Sequence, residues 1–149
     1  AVAGQEAVVD AIGGRTPFLV TRMEQTAAQV VINAMQKHGV RRLIVISVLG
    51  AGDSKEQAGF LYEHLLMPTF LRGALADKEA MESAVKQSGL DFVLVRPPAL
   101  NDDSATGQAH LVAGETKAHK ITRTDLAQFI VEQLTSNEHL GQAVTVTNS

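Results

Sequence analysis

Three short clusters in this 149-residue chain have residue types that could meet a ligand: Gly13-Gly14-Arg15, Ser47-Val48-Leu49-Gly50 and Pro97-Pro98-Ala99. A glycine pair lacks side chains and lets a flat ring approach the backbone, although Gly13-Gly14 reads equally well as a plain strand-to-loop turn. Ser47 could hydrogen-bond a ligand or simply a neighbouring backbone group. Gly50-Ala51-Gly52 lacks the Gly-Lys-Ser/Thr ending by which a phosphate loop grips phosphate and magnesium. The five histidines, at 38, 64, 110, 119 and 139, show neither the i,i+4 pairing nor the short spacing of zinc ligands, and no pattern suggests a Ser-His-Asp triad. Asp102-Asp103 adjoin each other on a loop, where paired carboxylates are usually solvated. Zero cysteines rule out a disulfide framework and any thiolate metal site. A net charge of -3, with Arg41-Arg42 as a small basic pair at a solvated strand entry, offers no footprint for nucleic acid.

The clusters matter only if the chain brings them to one place. Residues 7–12 form a short apolar run ended by Gly13-Gly14, the pattern of a strand covered on both faces. Residues 22–38 place Ala27, Val30, Val31, Ala34 and Met35 on one helical stripe, closed by Gly39. Arg41 to Val48 reads as a central parallel strand, rich in β-favouring residues almost without a polar break. A helical stretch about 57–72 that Pro68 should divide, and a helix about 75–88 with Met81, Ala84 and Val85 on one face, follow. Residues 91–96 are a third strand stopped by Pro97-Pro98. Residues 99–120 read as loop with a weak alternating patch at 108–112. Thr124 is the expected N-cap of a helix to about 135, with Leu126, Phe129, Ile130 and Leu134 on its inner face, and 143–147 a last strand. Alternating strands and amphipathic helices give an α/β fold with a mostly parallel sheet covered on both sides. In such sheets ligands sit beyond the carboxyl ends of the strands, and all three clusters fall on that edge. Lys78 is spaced for an exposed i,i+4 ion pair with Glu82, but near the start of its helix it could also reach a ribose hydroxyl at the sheet edge.

Several motifs occur in a familiar order. They are residues 2–8 (Val-Ala-Gly-Gln-Glu-Ala-Val), Gly13, His38-Gly39-Val40, Ser88-Gly89-Leu90, Arg96-Pro97-Pro98 and Ile121 to Ala127 (Ile-Thr-Arg-Thr-Asp-Leu-Ala). Together they resemble the atypical short-chain dehydrogenase group of NAD(P)H-binding proteins, with its NmrA-like and flavin reductase (biliverdin reductase B-like) branches. The resemblance implies a three-layer Rossmann-type, mostly parallel sheet, of which residues 1–149 form the C-terminal portion. In the family a strand with the glycine-rich dinucleotide fingerprint and two further strands come first, about seventy residues at roughly thirty per βαβ unit. The opening Ala1-Val2-Ala3 carries no initiator methionine and runs at once towards a strand, which reads as a cut.

The resemblance implies NADP or NAD as cofactor, with binding impaired in this chain alone. Gly13, Gly14 and Arg15 would line its adenosine-to-nicotinamide side, Ile46, Ser47 and Val48 its nicotinamide end, Lys78 the ribose, and Pro97 and Pro98 the nicotinamide edge. Two departures bear on activity. The Tyr-x-x-x-Lys motif is absent, because Ala74 stands four residues before Lys78, and the serine and histidine near the hydride site of the flavin reductase branch match Val48 and Ala99. The expected function is reduction of a small acceptor, such as a flavin or quinone, by the intact protein. The alternatives are an NmrA-like dinucleotide-sensing module without turnover and an inactive truncated fragment. No signal-peptide pattern opens the chain and its apolar stretches are strand-length, so a cytoplasmic protein with no membrane or nucleic-acid partner is expected. The strand at 7–12, nearly all apolar, is expected to self-associate.

Overall fold

The computed structural model describes residues 1–13, 22–58, 72–113 and 118–148. Along the chain it forms β1 (Ala7–Asp10), α1 (Met23–His38), β2 (Arg42–Ile46), a 3-10 turn (Gly52–Ala58) and α2 (Arg72–Gln87). These are followed by β3 (Asp91–Arg96), β4 (Ala99–Asn101), β5 (His110–Leu111), β6 (Lys120–Thr122), α3 (Arg123–Gln133) and β7 (Gln142–Thr147). The main sheet runs β1-β2-β3-β7-β5, parallel except for the antiparallel β5, and β4 pairs with β6 in a small parallel ladder.

Alternation along the strands divides the core into two layers. Leu43, Val45, Phe92 and Leu94 face α1 and α2, where they meet Ala28, Ile32, Met35, Met81 and Val85. Ile44, Val93, Val95, Val144 and Val146 face α3 and meet Leu126, Phe129 and Ile130. Both faces of β2 and β3 are therefore filled, which is why these strands read as nearly continuous apolar runs. Gly39 ends α1 in the left-handed conformation at φ 70°, as its position predicts.

Five local expectations are corrected. Strand β1 is covered on one face: Val8 packs into the α1/α2 layer, whereas Val9 is 40% and Ile12 44% exposed. An apolar run does not reveal that its strand lies at a sheet edge. On α1 the buried residues are Glu24, Ala28, Ile32 and Met35, and Val30 faces solvent. Apolar residues cover too wide an arc of this helix for periodicity to choose the inner stripe. The N-cap of α3 is Thr122, not Thr124: Thr122 Oγ1 accepts from the Asp125 N–H at 3.0 Å. Residues 99–120, read as loop, contain β4 and β5 and the start of β6, strands too short for a periodic signal. Arg42 is not simply solvated, because its guanidinium donates to the carbonyls of Gln133 and Ser136 at the C-terminal end of α3. Arg41 does stand in solvent, paired with Asp91 at 3.0 Å. Of the stretch 57–72, residues 59–71, Pro68 included, lie outside the described residues.

Candidate functional site

The carboxyl ends of β1, β2 and β3 lie side by side because their registers are parallel, with Asp10 opposite Val45 and Ile46 opposite Val95. The ladder continues past the strands proper. Ser47 N–H donates to the Val95 carbonyl at 2.8 Å and Leu49 N–H to the Pro97 carbonyl at 2.9 Å. Pro97 has no N–H to give, so the partnership is one-sided and the chain turns away afterwards. Ile46, Ser47, Val48, Pro97 and Pro98 thus form one strip of wall in which Ser47 and both prolines are buried.

Gly13 stands at the end of β1, exposed, beyond a bend in which the Ile12 N–H donates to Asp10 Oδ1 at 3.0 Å. Among the described residues, a Cβ built on Gly13 would meet only Glu24 Oε1, at 3.9 Å. Gly14 and Arg15, expected beside it, lie outside the described residues.

Lys78 joins these pieces. It does not pair with Glu82 on an exposed face but is buried, its Nζ donating to the Ile46 carbonyl at 2.9 Å and lying 3.3 Å from Glu24 Oε1. A longer contact, 3.5 Å, reaches the Ile12 carbonyl. The preceding residue, Asp77, accepts the N–H groups of Glu24 at 3.1 Å and Gln25 at 3.0 Å, capping a helix whose own N-cap, Arg22, provides no side-chain bond. The second turn of α2 therefore clamps the start of α1 to the ends of β1 and β2.

Behind the wall the buried Arg96 and Glu82 form a charge pair that the exposed Asp53 joins from the surface. Arg96 donates through Nε to Glu82 Oε1 at 2.9 Å and through Nη2 to Glu82 Oε2 at 2.7 Å, and Nη1 meets Asp53 at 2.6 Å. Burial pushes the Glu82 carboxyl up, but the hydrogen bonds from Arg96 and the charges of Arg96 and Lys86 outweigh it, and the net shift is downward. Gly52 is required here twice over: its φ is +57°, and a Cβ would stand 2.8 Å from Arg96 Nη2. Ser47, expected at the nicotinamide end, is buried, and its Oγ has no hydrogen-bond partner among the described residues.

A second clip shapes the far side. Asp125, with no exposed surface, accepts from the N–H and hydroxyl of Thr106 (3.0 Å each), the Gly107 N–H (2.9 Å), the Thr122 hydroxyl (2.8 Å) and the Asn148 amide (2.6 Å). The Thr106 backbone bond leads the causes that hold its carboxyl far below the usual range, against the opposing cost of burial. It fixes the loop after β4, next to the strip formed by Pro97 and Pro98. The exposed Asp102 and Asp103 pair with Arg123 and Lys120. A groove of about 520 Å³ between α1 and α2, lined by Gln25, Gln29, Gln36, Ser83 and Gln87 among others, includes none of the strand-end residues.

Glu24, Asp77, Glu82, Arg96 and Asp125 are the members that residue types alone did not single out. Two signals were available: Arg96, a charge closing an otherwise apolar strand, and Asp125 inside Thr-Arg-Thr-Asp.

Gly13, Lys78 and the Ile46–Val48 and Pro97-Pro98 strip adjoin at the carboxyl ends of parallel strands, the edge at which open α/β sheets bind ligands. Residues 1–137 match the model of an NAD(P)H-binding family, and the chain belongs to that family. The UPF0659 protein YMR090W of Saccharomyces cerevisiae is 30% identical over 126 residues, 82% of this chain and 52% of that protein. The chain spans about half the length of the curated relatives it matches. Among solved structures, the oxidoreductase ylbE of Lactococcus lactis superposes with a TM-score of 0.81 at 21% identity, over 99% of this chain and 64% of its own. A short-chain dehydrogenase/reductase of Veillonella parvula, solved in complex with NADP, gives 0.79 at 14% identity, over 99% and 65%. ChuY, an anaerobillin reductase of Escherichia coli O157:H7, gives 0.75 at 25% identity, over 95% and 63%. The fold and the family agree with the resemblance carried by the order of motifs.

Proposed function

We propose that this chain forms the nicotinamide side of an NAD(P)H-dependent reductase whose acceptor is small and conjugated, a flavin, a quinone or a similar molecule. The observation that carries the reading is the meeting of Gly13, Ile46 to Val48, Lys78 and Pro97-Pro98 at adjoining carboxyl ends of parallel strands. When bound, the dinucleotide supplies a hydride. The chain's own residues orient and enclose: Gly13, without a side chain, admits a close approach, Lys78 serves the ribose, and the apolar strip excludes water from one face of the ring. At the three positions where related enzymes use tyrosine, serine and histidine, Ala74, Val48 and Ala99 cannot donate a proton. Rate enhancement then comes from proximity, and an acceptor that accumulates charge on a delocalised ring suits such a site best.

Fluorescence titration of the full-length protein with NADPH and NADH tests the reading, and failure to bind either would end it. The missing proton donors favour a second reading, a dinucleotide-sensing module without turnover. Stoichiometric binding with no oxidation against flavins, quinones and carbonyls would select that module; steady turnover of any of them selects the reductase.

A further inference from the structure

Glu24 is a carboxylate in the first turn of α1, 6% exposed, on the same helix face as Ala28, Ile32 and Met35. A buried carboxylate survives only where partners compensate its desolvation. Capping the helix does not explain it, because Asp77 accepts the N–H groups of that turn. Its Oε1 instead stands between two parts of the candidate site, 3.3 Å from Lys78 Nζ and 3.9 Å from where a Gly13 side chain would begin.

An ammonium has three donors on a flexible four-carbon stem, so its direction is set by what surrounds it. For Lys78 the Ile46 carbonyl at 2.9 Å and Glu24 at 3.3 Å fix two directions. The third points to the Ile12 carbonyl at 3.5 Å, at the outer limit of a hydrogen bond and next to Gly13 in the chain. We propose that Glu24 is a positioning residue for the cofactor: its ion pair holds Lys78 so that the donor now resting on Ile12 turns to a ribose hydroxyl beside Gly13. This rests on the NAD(P)H reading above. It adds that ribose recognition depends on a carboxylate that does not itself touch the ligand.

The test compares full-length wild type with Glu24→Gln, which keeps the shape and removes the charge, Glu24→Leu, Lys78→Ala and Glu24→Leu/Lys78→Ala. Dissociation constants are measured for NADPH and for ADP, which lacks the nicotinamide-side ribose, together with the melting temperature of each variant. Glu24→Leu and Lys78→Ala are each expected to weaken NADPH about tenfold, Glu24→Gln to fall in between, and ADP to bind as in wild type. The double variant should bind NADPH no worse than either single one, because both remove the same contact. Unchanged NADPH affinity in the Glu24 variants, equal loss of ADP and NADPH, or additive losses in the double variant would each overturn the proposal while leaving the cofactor reading standing. Wild type that binds no NADPH would remove both. If Glu24→Leu does not fold, the isosteric Glu24→Gln decides.

Discussion

Individual side chains in this protein act mostly through buried charge, and their energetics differ in kind. Arg96 and Glu82 are each 3% exposed at the side chain and bound to one another through two hydrogen bonds. Arg96→Met leaves the Glu82 carboxylate buried with its main partner gone, at a cost of about 3–5 kcal/mol. Adding Glu82→Leu should recover most of that loss in urea denaturation, and a double variant no more stable than the single one would contradict the assignment. Asp125 titrates differently. Its carboxyl is depressed in the fold, so its contribution is fully present above the unfolded aspartate value, about 3.9, and fades as the pH falls through and below it. Asp125→Asn should therefore melt several degrees below wild type at neutral pH, and the gap should narrow below about pH 4. A gap constant from pH 7 to pH 3 would show that charge is not what the five donors recognise. Residue types at the strand ends were legible in the sequence, since Gly13, Ser47, Pro97 and Pro98 are marked by their place after apolar runs. The i,i+4 spacing of Lys78 and Glu82 also fits a surface pair, but spacing says which residues share a helix face and not which face is buried, and both are buried.

Among the elements, those with strong periodicity or long apolar runs could be read directly. β2, β3, α2, α3 and β7 stand close to where the pattern places them, because burial on both faces or one clear stripe leaves little choice. The short β4, β5 and β6 could not be read, since two or three residues carry no period and their pairing is decided by distant partners such as Thr147 and Val146. The start of α3 offers a sharp test between two adjacent candidates. Thr122→Ala removes the hydroxyl that caps the Asp125 N–H and should cost about 1 kcal/mol or more, whereas Thr124→Ala should be close to neutral. Equal effects in chemical denaturation would mean that the helix begins elsewhere.

For the molecule as a whole, the sheet closes unequally. On one side β7 is covered by β5, and on the other β1 ends the described sheet with Val9 and Ile12 exposed. Such an edge is a template for another strand unless charge or proline blocks it. The 149-residue chain is expected to self-associate, and lysines at Val9 and Ile12 should return it to a monomer in sedimentation; a monomer before substitution would show the edge to be covered in some other way. The clamp at the carboxyl end of the same strand carries a different consequence. Asp77 belongs to α2, yet it holds the first amides of α1, 52 and 53 residues earlier in the chain. The two helices should therefore open together in slow local fluctuations, as one cooperative unit. Hydrogen exchange at the amides of Glu24 and Gln25 would then report the departure of a helix they do not belong to, and Asp77→Ala should uncouple them, quickening their exchange while the amides of β3 keep the protection of the central sheet.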